Sequence, residues 1–206
     1  MRHVRLALFF CACISLAGCV LFVRGVDDLR LVDVQPVQVG AVDTLRTERP
    51  NLPSSYVIGG LVVATQADIR KIREESQLNI WYTLTICNTG TTVRGWAGVY
   101  EHGVNINPNP MIKSIQSTYR HQATSHDDDE PYIYEIYFDP RSAYSEPIRA
   151  DYPWKYRAYD LVREPQDLCL RVRGGNMVGG RFASNTVVVS SAQIAHAFLN
   201  VPRESP

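Results

Sequence analysis

From Leu78 to Ile86 the chain alternates, with Leu78, Ile80, Tyr82, Leu84 and Ile86 separated by more polar residues. Successive side chains of a strand point to opposite faces, so this run predicts a long strand with one face in a core and one toward water. Such a strand needs hydrogen-bonded neighbours and a second layer over its apolar face. Tyr56 to Thr65 is rich in Val and Ile, with Gly59-Gly60 marking a bulge or the close approach of another group. Val93 to Tyr100, Tyr132 to Phe138, Ala158 to Val162, Asp167 to Arg173 and Asn185 to Ser190 also have strand character. Asn88-Thr89-Gly90, Pro165 and the stretch from Asn176 to Gly180 are the turn signals between them.

Helix signals are few. Thr65 and Asp68 ahead of Ile69 and Ile72 predict a short helix over 66–75, and Ser190 with Gln193 fits a capping box that opens a terminal helix reaching Leu199. Seven or eight short strands with one or two helices predict a mainly β fold, an antiparallel β-sandwich. The folded domain is expected over 56–200, with a short tail at 201–206. Residues 24–55, with Pro36, Pro50 and Pro53 and weak Val alternation, predict a tether with one edge strand at Val32 to Val39.

The N-terminus is a separate signal. Arg2 and Arg5 precede an uncharged apolar run from Leu6 to Ala17, the n-region and h-region of a secretory signal. The run ends in Leu16-Ala17-Gly18-Cys19. This resembles the lipobox of bacterial lipoproteins: an aliphatic residue, a small residue, Gly or Ala, then Cys. The resemblance covers about 20 residues. It implies a signal peptide over 1–18, cleavage after Gly18, a diacylglyceryl thioether on Cys19, and anchoring in a bilayer. Two or three acyl chains make a durable anchor where one is marginal. Val20 follows the Cys, which resembles the outer-membrane type, since Asp there tends to retain such proteins at the inner membrane. The rival is an uncleaved membrane helix over Leu6 to Val23, which would still place the rest outside the cytoplasm.

Cysteine usage follows from that address. Cys11 and Cys13 lie in the apolar run and Cys19 would carry lipid, which leaves Cys87 and Cys169. In an oxidising compartment a leftover pair reads as a disulfide. The alternative, a thiol nucleophile or metal pair, lacks a C-x-x-C and a neighbouring His.

Charge and motifs narrow the function. The chain carries 21 basic and 21 acidic residues. Loss of 1–18 would leave a slightly acidic protein, with no electrostatic footprint for nucleic acid. His121 and His126 beside Asp127, Asp128, Asp129 and Glu130 have metal-donor chemistry, but no ligand frame matches their spacing, so a solvated acidic loop is expected. His102 and His196 stand alone and are expected to be structural. Gly174 to Gly180 has the look of a phosphate cradle, yet a cradle opens a helix; here β-rich sequence follows, so a hairpin or bulge is expected. G-x-S-x-G, H-E-x-x-H and S-x-x-K do not occur. Tyr144 to Arg157 gathers Tyr144, Tyr152, Trp154 and Tyr156 with Arg149, Lys155 and Arg157, either a contact surface or a lid over one end of the sandwich.

The sequence therefore predicts a non-catalytic envelope lipoprotein without cofactor or metal, whose β-domain binds or scaffolds a protein partner. A cell-wall polysaccharide module and a hydrolase with an unrecognised site are the alternatives.

Overall fold

The structure, a computed structural model, describes residues 25–48, 50–95, 98–101, 104–107, 130–142, 159–177 and 179–201. Its strands are β1 (Arg30–Gln38), β2 (Val57–Thr65), β3 (Asn79–Ile86), β4 (Tyr100–Glu101), β5 (Val104–Asn105) and β6 (Tyr132–Phe138), then β7 (Arg141–Ser142), β8 (Tyr159–Asp160), β9 (Leu168–Gly175), β10 (Arg181–Ala183) and β11 (Val187–Val189). The helices are α1 (Asp43–Glu48), α2 (Ile69–Ser76) and α3 (Ser191–Ala197). The fold is mainly β, and every strand pairing is antiparallel.

Two sheets make the sandwich. The first runs β1-β2-β6-β4-β5. In the second, β9 pairs with β3 along one edge and with β10 and β11, end to end, along the other. Alternation decides which side chains meet. Leu61 and Val63 of β2 and Tyr134, Ile136 and Phe138 of β6 point inward, facing Ile80, Leu84, Leu168, Leu170 and Val172 of the second sheet, all buried in one cluster. The alternation from Leu78 to Ile86 is thus the inner face of β3. Gly59 is a close approach, as its sequence suggested: it pairs with Phe138, and a Cβ there would lie 2.2 Å from the Phe138 ring.

The helices close the sandwich. Asp68 caps α2 by accepting from the Lys71 amide at 2.8 Å, and the buried Tyr134 hydroxyl accepts from the Ile69 amide at 2.8 Å. The cap is therefore Asp68 rather than Thr65, whose hydroxyl instead donates to Asp28 at 2.5 Å. Ser190 and Gln193 form the capping box that opens α3, and Phe198 beyond it meets Phe138 edge-on at 6.4 Å.

Three expectations change. Residues 24–55 are more than a tether: the expected edge strand is β1, paired with β2 from Arg30 to Gln38, but Val26, Leu29, Val39 and Leu45 around it are buried in the fold. The folded region begins by Val26, which bridges Ser184, and Asp28 ties this entry to β2 through Thr65 and the Gln66 amide. Burial would raise the Asp28 carboxyl, but those hydrogen bonds hold it below its usual value. Val93 to Tyr100 is not one strand either. Thr92 bridges Thr85 in one sheet and Gly95 bridges Phe138 in the other, so the chain crosses between layers here. Gly95 permits the crossing, because a Cβ would collide with the Tyr82 hydroxyl. Finally, of the expected strand from Ala158 to Val162, Tyr159–Asp160 is strand, paired with Arg141–Ser142, and the chain turns at Leu161, Ala158 lying outside the described residues.

Candidate functional site

The two sheets treat their outer faces differently. On the first, residues 39–56 fold back over the outward side chains. The Val39 amide donates to Tyr56 O at 2.9 Å and the Gly40 amide to Ser54 O at 2.8 Å, closing the segment into a flap. Beneath it Val39, Leu45, Ile58, Tyr100 and Tyr137 form a second buried cluster, with the Tyr100 and Tyr137 rings edge-on at 5.0 Å. The flap is latched by Tyr56, whose hydroxyl donates to Asp139 at 3.1 Å, while the Arg141 amide donates to the same oxygen at 3.0 Å. Burial pushes the Asp139 carboxyl above its ordinary value, and burial with the Asp139 charge pushes the Tyr56 phenol up to about 12.

The second sheet has no such cover among the described residues. Its inward positions fill the core, so Trp81, Thr83 and Thr85 of β3 point outward, as do Cys169, Arg171 and Arg173 of β9, Arg181 of β10 and Val188 of β11. Register brings them together: Trp81 is opposite Arg173, Thr83 opposite Arg171, and Arg181 opposite Gly175. Trp81 is 38% exposed and Val188 56%. The Trp81 ring lies along the sheet over Gly175, where a Cβ would approach it to 3.2 Å. Arg171 is held in place by its bond to the Thr186 hydroxyl at 2.9 Å, and its Nε is buried without a hydrogen-bond partner. No Asp or Glu occupies an outward strand position of this sheet. The result is a flat cationic surface with an aromatic platform.

The Cys87–Cys169 disulfide closes one end of that surface, with Cα atoms 5.1 Å apart. Cys87 follows β3 and donates its amide to Asp167 O at 2.9 Å, while the Asp167 side chain accepts from Ser191 at 2.6 Å. The bridge therefore fixes β3, β9 and the start of α3 together. A shallow cleft of about 270 Å³ beside it is lined by Cys87, Asn88, Pro165, Gln166, Asp167 and Ser191.

The Gly-rich stretch is the β9–β10 hairpin. Gly179 takes φ +93°, and Asn176 accepts from the Gly180 amide at 2.8 Å while its side-chain amide caps Ser76 O at 3.1 Å. The Asn176 side chain thus serves the turn and the end of α2, in the hairpin that the sequence predicts. His196 is exposed on α3. Among the described residues no group of three His, Cys, Asp or Glu could hold a metal, and no helix is long and apolar enough to cross a membrane. Cys19 and its lipobox, His102, the run from His121 to Asp129 and the aromatic stretch from Tyr144 to Arg157 lie outside the described residues. Sequence reasoning passed over Trp81, Arg171, Arg173 and Arg181. Each is an ordinary outward residue of its own strand, and only the pairing register assembles them. Compared with known protein families, with curated proteins and with solved structures, the chain matches none.

Proposed function

We propose that the chain is a lipoprotein of the bacterial envelope, anchored through acyl chains on Cys19, whose β-sandwich binds a protein partner and performs no chemistry of its own. The N-terminal signal and the lipobox at Leu16 to Cys19 support the address, with Val20 favouring the outer membrane. The observation that carries binding is the uncovered outer face of β3 and β9. Tyr, Trp and Arg are the residues that dominate binding energy at protein interfaces, and charged rows on a rigid sheet set partner choice. A disulfide beside that face keeps it in one shape.

Two measurements test the two halves. Cys19→Ala should abolish incorporation of labelled fatty acid and leave an unprocessed precursor; normal labelling and maturation of the variant would remove the anchor. Trp81→Ala should weaken recovery of a stoichiometric partner from envelope extracts by about 2 kcal/mol, the loss expected of a hot spot. Unchanged recovery, with the disulfide intact, would remove this face from function.

A further inference from the structure

The exposed face of β3 and β9 also specifies the chemistry of what covers it. We infer that it takes a carboxylate-rich surface of another envelope protein lying close to the bilayer, an inference that rests on the anchoring and binding proposed above. Charge complementarity is the first ground. Arg171, Arg173 and Arg181 share one face with no acid at its described outward strand positions, on a chain whose 21 basic and 21 acidic residues balance overall. Arginine's planar fork pairs bidentately with carboxylates. Arg171 is already fixed by Thr186, so little side-chain freedom remains to be lost on binding.

The posture of Trp81 favours a protein over the lipid surface itself. A membrane-seeking Trp inserts its ring among headgroups, whereas the far edge of this ring reaches back along the strand to Gly175, where a Cβ would lie 3.2 Å from it. A ring held against the sheet beside Arg173, its cross-strand neighbour, suits a partner that docks on the sheet rather than one the ring must enter.

The length of the leash places that partner. The sandwich begins at Val26, and seven residues of fully extended chain from Cys19 reach at most about 25 Å. Val26 bridges Ser184, which lies between β10 and β11, so the leash enters at the edge of the same sheet that carries the arginines. A domain on so short a leash meets only what stands within a domain's breadth of the membrane.

The test is site-specific crosslinking in living cells, using the full lipidated chain with a photoreactive phenylalanine analogue in place of Thr83. The expected adduct joins a second protein at a segment rich in Asp or Glu. Arg173→Glu with Arg181→Glu should lower its yield about tenfold, equivalent to about 1.4 kcal/mol, and arginine at the mapped acidic positions of the partner should restore it. An intact Cys87–Cys169 bridge, read by non-reducing peptide mapping, certifies the fold of each variant. Adducts to phospholipid, to a second copy or to the chain's own acidic run at 127–130 would overturn the inference, as would no adduct or one unmoved by charge reversal. Fatty-acid labelling of Cys19 in the same cells separates the two levels. A protein adduct insensitive to charge leaves the proposed function standing, while lost labelling with a retained, charge-sensitive adduct removes the anchor and the membrane placement alone.

Discussion

One sheet of this sandwich has part of its outer face buried under a flap of its own chain, and the other has no such flap among the described residues. At one end of the outer face of β2 and β6, residues of its own chain bury Ile58, Tyr100 and Tyr137 under a flap latched at Asp139, while Ile133 at the other end is 37% exposed. The outer face of β3 and β9 carries Trp81, three arginines and threonines under no described cover. The same alternation that builds a core produces both surfaces. They differ in what alternates with the core residues: apolar and aromatic side chains under the flap, mostly cationic and hydroxyl side chains where no described residue covers them. The covered end contributes stability, and the face without described cover is the one proposed for recognition.

The largest expected effect attacks the covered face. Tyr100→Ala removes a fully buried ring from the second cluster and should cost about 3–5 kcal/mol in urea or thermal unfolding. A loss under 1 kcal/mol, on the order of a surface substitution, would mean that the flap is ornamental and the contrast between faces is false. Next comes the bridge at the end of the uncovered face. Cys87→Ser with Cys169→Ser should destabilise by about 2–4 kcal/mol, since the closed loop spans a sequence separation of 82. Wild-type stability in that double variant would show that the sheet needs no staple.

The latch gives a pH-dependent test. Asp139 has a folded pKa above its ordinary 3.8 because burial disfavours its charge. The folded state therefore keeps a proton that the unfolded chain has already released. Stability should fall as pH rises from 3.8 through the folded value and stay lower above it. Asp139→Asn retains an oxygen for Tyr56 and the Arg141 amide, so it should flatten that slope. An unchanged pH profile in the variant would assign the slope to other groups. The smallest effect belongs to the face without described cover, where Trp81→Ala should change stability by less than about 1 kcal/mol, because the side chain is 38% exposed and lies outside both buried clusters. A loss as large as that of Tyr100→Ala would make Trp81 a core residue and erase the contrast.

Much of the sandwich is written in local pattern. The alternation from Leu78 to Ile86, the aromatic run from Tyr132 to Phe138 and the capping box at Ser190 each act within a few residues, and each appears as expected. What escaped is decided by long-range contact. Val26, Leu29 and Leu45 are single apolar residues among charges, with no period to betray them, so outside the edge strand at Val32 to Val39 the flap and the early start of the fold read as tether in the sequence. The crossing at Gly95 depends on a Tyr82 hydroxyl distant in sequence, and β10 hides behind the glycines of its hairpin. The candidate site was the least legible part. Trp81 and Arg173 become neighbours only through the register of β3 on β9.

Protection of Trp81 is the most direct measure of whether the uncovered face is occupied at work. Oxidative footprinting with hydroxyl radicals would compare this ring in intact envelopes and in the purified, detergent-extracted protein, with buried Tyr100 as the unlabelled reference. The expected result is ready labelling of Trp81 in the purified protein, where it is 38% exposed, and marked protection in the envelope. Equal labelling in both would contradict a bound partner on this face.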